Sequence, residues 1–93
     1  MYNSKDIIKE VFNNTVNYGI VSNQQDFSRM AGRNKHWYSW VKINQYNPST
    51  EAIITLANSL QNKTKNISSK IIKNNIKTDV QKLYGLIATR TMV

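Results

Sequence analysis

The chain has 93 residues, 40% of them hydrophobic and 10% aromatic, with thirteen Lys and Arg against five Asp and Glu for a formal charge of +8. That length holds one core but not two, the apolar content excludes a wholly disordered chain, and zero cysteines with a single histidine exclude thiol chemistry, disulfides and Cys/His zinc sites. The charge favours polyanionic partners, nucleic acid first and acidic membrane surfaces second, and it is uneven: residues 1–60 hold six Lys or Arg against four Asp or Glu, residues 61–93 seven against one.

The first predicted helix starts after Ser4, a capping residue, with Asp6 favourable in the first turn. Ile7, Ile8, Val11, Phe12 and Val16 recur at three- and four-residue spacing, so one stripe faces a core, and Gly19 closes the helix as a left-handed cap. A second, two-turn helix follows, with Asn23 as N-cap, Asp26 three residues on, Phe27 and Met30 or Ala31 on its buried side, and Gly32 as stop. A helix so short must pack on a neighbour to persist. The third is expected over 35–43, capped by Asn34, with Tyr38 and Val41 toward the core and Lys35, His36 and Trp40 on the other side. Asn44 takes its stop position, being tolerant of positive φ. Asn47, Pro48 and Ser49 read as a turn and an N-cap, ahead of a fourth helix over 50–60 that buries Ile53, Leu56, Ala57 and Leu60. Residues 61–69 are polar and read as a linker. Beyond them Ile72, Ile76, Val80, Leu83 and Ile87 keep an amphipathic helical rhythm, either in one helix or with a second start at Thr78–Gln81, where Gly85 weakens both versions. The expected fold class is all-α, four to five helices.

The informative feature is the order: a two-turn helix, a glycine, a short turn, then a capped helix with a polar outer face, which is the helix-turn-helix arrangement. Residues 23–60 resemble the Cro-like, or lambda-repressor-like, helix-turn-helix family, whose pattern runs T/S-Q-x-x-L-A-x-x-x-G, a turn, a recognition helix, then N-P-S and a helix ending L-A-x-x-L. Gln24, Phe27, Ser28, Gly32, Tyr38, Val41, Asn47, Pro48, Ser49, Leu56, Ala57 and Leu60 fall in that register without a gap. Two positions depart from it: Trp40 stands where a polar or Arg side chain is usual, and Asn44 replaces a glycine. The resemblance implies a domain over 1–62, to which 63–93 adds a basic amphipathic helical extension. It implies a phosphate contact for Gln24 and base-facing positions for Lys35, His36 and Trp40. With Arg33 and Asn34 at the turn, and Trp37 and Ser39 on the same helix, these form the expected DNA-binding set.

Each position also has a plainer role. Lys35 and His36 can be solvated, Trp37 can pack on residues 70–90, Arg29 can pair with Asp26, and the C-terminal lysines can be a solvated face. Three aromatics within four residues cannot all face one small core; Tyr38 holds the core position, so Trp37 and Trp40 should contact DNA, a partner or the C-terminal helix.

No paired carboxylates, activated nucleophile or phosphate-cradling glycine loop appears, and the carboxylates Asp6, Asp26, Glu51 and Asp79 are each read in a first helical turn. The expectation is therefore no enzyme, no cofactor, no metal and no small-molecule substrate. Residues 1–12 carry charges where a signal peptide needs an apolar core, and no apolar run approaches about 18 residues, so the expected setting is cytoplasmic and nucleoid-associated. The expected function is sequence-specific binding of double-stranded DNA by a small transcriptional regulator of a bacterium, phage or mobile element. One short helix reads few base pairs, so a homodimer on a palindromic site is expected. The stripe within 70–90 serves either as its interface or as cover for the monomer's own core. Two rivals are a protein-interaction module gripping through Trp37 and Trp40, and a non-specific nucleic-acid packaging protein.

Overall fold

The computed structural model describes residues 4–43 and 48–91. Five helices follow one another: α1 (Ser4–Asn17), α2 (Gln24–Met30), α3 (Trp37–Ile43), α4 (Thr50–Thr64) and α5 (Lys70–Thr91). The fold is all-α, as the periodicities require. The expected capping by the Ser4 side chain, the stop at Asn44 and the turn residue Asn47 lie outside what the structure describes.

Two glycines set the chain direction. At the end of α1 the Gly19 amide donates to Val16 O and the Ile20 amide to Thr15 O, with Gly19 at φ 75°. At the end of α2 the Gly32 amide donates to Arg29 O and the Arg33 amide to Ser28 O, with Gly32 at φ 71°. Both are paired closures that satisfy orphan carbonyls and need a left-handed residue. The expected N-caps also hold: Asn23 Oδ1 accepts from the Asp26 amide at 2.9 Å and Ser49 Oγ from the Ala52 amide at 3.1 Å.

One continuous core draws on every helix. Ile7, Ile8 and Val11 come from α1, Phe27 from α2, Trp37, Tyr38 and Val41 from α3, Ile53, Leu56 and Leu60 from α4, and Ile76, Val80, Leu83 and Leu86 from α5. In α1 it is Thr15 that is buried while Val16 is exposed, because the Thr15 hydroxyl bonds back to Phe12 O at 2.8 Å and so enters the core satisfied. α5 lies along α4 and α1. The residues read as an extension to a 1–62 domain therefore complete the same core, and the apolar stripe of α5 is spent inside the monomer rather than left as a dimer surface.

The C-terminal half also differs in its boundaries. α4 runs to Thr64, since 61–64 contain no glycine or proline to stop it. Ser69, read as linker, caps α5 by accepting from the Ile72 amide at 3.3 Å. α5 passes through Thr78–Gln81 unbroken. Asp79 is not at a helix start: it is 1% exposed in mid-α5, where Asn14 Nδ2 donates to its Oδ1 at 2.9 Å, and beside it Lys82 pairs with Glu10 at 2.6 Å. Its second oxygen, Oδ2, has no hydrogen-bond partner.

The three glycines separate in a mutation series read by chemical denaturation. A Cβ on Gly32 would lie 3.1 Å from Thr55 Cγ2, so Gly32→Ala combines left-handed strain with crowding and loses about 2 kcal/mol. Gly19→Ala meets open space and loses about 1 kcal/mol from strain alone. Gly85→Ala, in ordinary helix with open space around it, gains about 0.5 to 1 kcal/mol.

Asp79 gives a pH prediction. Burial pushes its carboxyl above the usual carboxylate range, against the Asn14 hydrogen bond and the Lys82 charge, which pull it down, and with Glu10, which adds to the rise. The native state thus binds this proton more tightly than the unfolded chain. Its contribution to stability rises as pH falls through the raised value and levels off below the ordinary carboxylate value. Asp79→Asn is expected to match or exceed the parent at pH 7, by on the order of 1 kcal/mol or less, and to lack that rise on acidification. Denaturation midpoints at pH 7 and at pH 4.5 check both.

Candidate nucleic-acid interface

The candidate surface is built on the junction of α1, α2 and α3. Phe12, Phe27 and Tyr38 form an aromatic knot: Phe12 and Phe27 meet edge to face at 5.2 Å, Phe27 and Tyr38 likewise at 5.2 Å, and Phe12 and Tyr38 lie tilted at 4.6 Å. Such offset contacts are favoured by the ring quadrupoles. Burial pushes the Tyr38 phenol up to about 12, and Lys42 Nζ sits 5.4 Å over its ring, a cation–π contact.

A buried hydroxyl ties α2 to α3. Ser28 Oγ donates to Gln24 O at 2.9 Å and accepts from the Tyr38 amide at 3.0 Å. That amide belongs to the first turn of α3, where no intrahelical carbonyl is available. A second bridge lies nearer the surface, where the Ser39 hydroxyl donates to Gln24 Oε1 at 3.1 Å. Together they fix how α3 sits on α2.

Between the two helices the chain turns at 31–36. The His36 amide donates to Asn34 Oδ1 at 2.8 Å and the Trp37 amide to Asn34 O at 2.9 Å. Asn34 therefore closes a turn with its side chain instead of capping the helix directly, and α3 starts at Trp37, not at residue 35. Lys35 and His36 stand on the turn before the helix, both exposed.

The predicted residues separate accordingly. Arg33, Asn34, Lys35 and His36 are exposed, and Trp40 is 63% exposed. Arg33 Nη2 donates to Ser49 Oγ at 2.8 Å, linking the turn to the start of α4. Gln24 and Ser39 are half-buried and bonded to each other. Trp37 is the correction: it is 8% exposed and packs toward Phe27, ring centroids 6.5 Å apart. Position 37 precedes Tyr38 and Val41 on the helix face that meets α2, so its indole is used for packing and cannot reach out as a reading side chain. It lines a groove of about 320 Å³ together with Arg33, Asn34, His36 and Trp40. Sequence reasoning missed Ile43, 74% exposed on the same helix, and the bridging role of Ser28. A small hydroxyl beside Phe27 on the buried side of α2 was the signal for the second. Arg29, read as a partner of Asp26, pairs with it at 3.7 Å.

Among the described residues, no group of three or more His, Cys, Asp or Glu side chains could hold a metal ion, and no helix is long and apolar enough to cross a membrane. The fold is that of a small five-helix protein with a basic, aromatic-edged surface at a tight interhelical turn. The chain belongs to DUF6626, a family of unknown function whose model matches residues 8–90. No curated protein and no solved structure matches it.

Ser28→Ala leaves the Tyr38 amide buried without a partner and is expected to lose about 1 to 3 kcal/mol, read by denaturant unfolding. Ser28→Thr, which keeps an oxygen at the same place, should lose less. A loss within about 0.5 kcal/mol for Ser28→Ala would contradict the bridge.

Proposed function

We propose that this protein binds double-stranded DNA in a sequence-specific manner as a small regulator, with α3 and the turn before it in the major groove. The observation that carries the reading is the turn itself: the Gly32 closure and the Asn34 side chain aim Lys35, His36 and Trp40 away from the core while Arg33 lies beside them. The order of α2, turn and α3 is the one by which a helix-turn-helix crosses the backbone and reads bases, and the sequence resemblance to the lambda-repressor-like pattern supports a reading with the same residues. Lys35 and His36 supply hydrogen bonds to base edges or phosphates. Trp40 and Ile43 supply apolar contact of the kind a thymine methyl accepts. Arg33 and Gln24 serve the backbone. A helix of seven residues reads few base pairs, so two copies on a palindromic site are part of the proposal; the buried stripe of α5 is not their interface.

Selection from a random duplex library tests the reading and should enrich a palindromic motif. On the selected duplex, Lys35→Ala combined with His36→Ala should weaken binding about tenfold or more, and Arg33→Ala should reduce the salt dependence by about one phosphate contact. Trp37 and Trp40 are the chain's two tryptophans and both line the groove, so intrinsic fluorescence reports binding directly. Absence of any enriched motif would sink the proposal, and duplex binding that is tight but indifferent to sequence would favour packaging.

The exposure of Trp40 and Ile43 favours one second reading, a surface that grips another protein. There Trp40→Ala would abolish the interaction while Lys35→Ala and Arg33→Ala would leave it nearly unchanged.

A further inference from the structure

Four lysines converge far from the α3 surface. Lys65, Lys70, Lys73 and Lys77, with Thr64 and Asn74, line a cleft of about 550 Å³ between the end of α4 and the start of α5. Lys70, Lys73 and Lys77 follow one another at three- and four-residue spacing on one face of α5, and Lys65 is the C-cap of α4. Neighbouring like charges at such spacing oppose helix formation by about 0.2 to 0.5 kcal/mol per pair. Lys70 and Lys73 also stand where the helix dipole disfavours cations, and the first turn of α5 holds no carboxylate. Among the described residues none of the four is joined to an acidic side chain, and Glu10, an acid that does engage α5, sits further along it at Lys82. The positive charge is therefore concentrated in one concavity against the local helix electrostatics.

The cleft is separated from the α3 surface by the length of α4. That helix begins beside Ser49, to which Arg33 donates, and ends at Thr64 on the cleft wall. Its 15 residues span about 22 Å. α5 packs on α4 and α1, whereas α3 packs on α2 and α1, so the two basic surfaces are carried by different helix pairs.

We infer that the Lys65, Lys70, Lys73 and Lys77 cleft is a second, sequence-independent site for the phosphodiester backbone of nucleic acid, through which one protomer holds a duplex segment separate from the one read by α3. A cleft lined by lysine, threonine and asparagine alone suits a ridge of phosphates. A lipid surface is flat and rewards apolar side chains among the cations; the cleft lining itself holds none, and the exposed Ile71 stands outside it. Only the word second rests on the proposed role of α3; the affinity of the cleft for duplex does not.

The test uses the full chain and the fourfold variant K65Q/K70Q/K73Q/K77Q, expected to melt no lower than the parent because like-charge repulsion is relieved. A duplex carrying the selected motif is immobilised, and capture of a labelled duplex lacking that motif is measured. The parent should capture it. The fourfold variant should capture at least about tenfold less while its affinity for the motif changes less than about threefold, and the fourfold Lys→Arg variant should capture like the parent. Three results would overturn the inference: no capture by the parent, capture undiminished in the fourfold Gln variant, as a dimer bridging through two copies of α3 would give, or loss of binding to phosphatidylserine vesicles with duplex capture intact. Should the library yield no motif, the Lys35→Ala/His36→Ala protein is titrated with random duplex instead. Binding that falls roughly a hundredfold between 50 and 200 mM salt and disappears on substitution of the four lysines upholds the cleft though the α3 reading has failed; no binding there overturns it.

Discussion

A serine hydroxyl shared between two short helices holds the candidate surface in place. α2 and α3 each have seven residues, too few to persist alone in water, and each leaves its first amides without helical partners. Ser28 Oγ takes the Tyr38 amide and gives its own proton to Gln24 O, so one buried group satisfies α3 and anchors to α2 together. The aromatic knot of Phe12, Phe27 and Tyr38 closes around that point and adds α1 to the junction. What stands outside the knot, Lys35, His36 and Trp40, owes its direction to what is fixed inside it.

Legibility in the sequence followed the range of the interaction. Gly19 and Gly32, the caps Asn23 and Ser49, and the stripes of α4 and α5 are local: each depends on residues within about one turn, and each is found where its spacing places it. The start of α3 depended on how Asn34 would spend its side chain, and two local options, a cap and a closed turn, compete for the same oxygen. Trp37 needed knowledge of how α2 docks, because the width of the buried face of α3 is set by Phe27. Asp79 was beyond reach. Its burial is decided by Asn14, sixty-five positions earlier, and a capping-box pattern offered a nearer but mistaken explanation. α5 likewise reads alone as a detachable amphipathic helix, and only its seat on α4 and α1 shows that the core is incomplete without it.

Charge is distributed by a different rule. On α1 Glu10 is engaged by Lys82, seventy-two positions away, and on α2 Asp26 is engaged locally by Arg29 and the Ser22 amide. The turn after α2 and the corner between α4 and α5 keep their cations open to solvent, in two groups at the ends of a single helix. A field so divided acts over distances of roughly a Debye length, about 8 Å at physiological salt, so the two groups are electrostatically separate centres.

The bond between Ser39 and Gln24 has a chemical consequence of its own. A free glutamine amide is ambidextrous, able to give and to take hydrogen bonds at once, and that is what pairing with an adenine edge demands. Here the carbonyl half already accepts from the Ser39 hydroxyl, while the NH2 half can only give. With its oxygen so engaged, Gln24 offers its NH2 group to any accepting oxygen, and a neighbour on the next helix biases which half of the amide is presented outward.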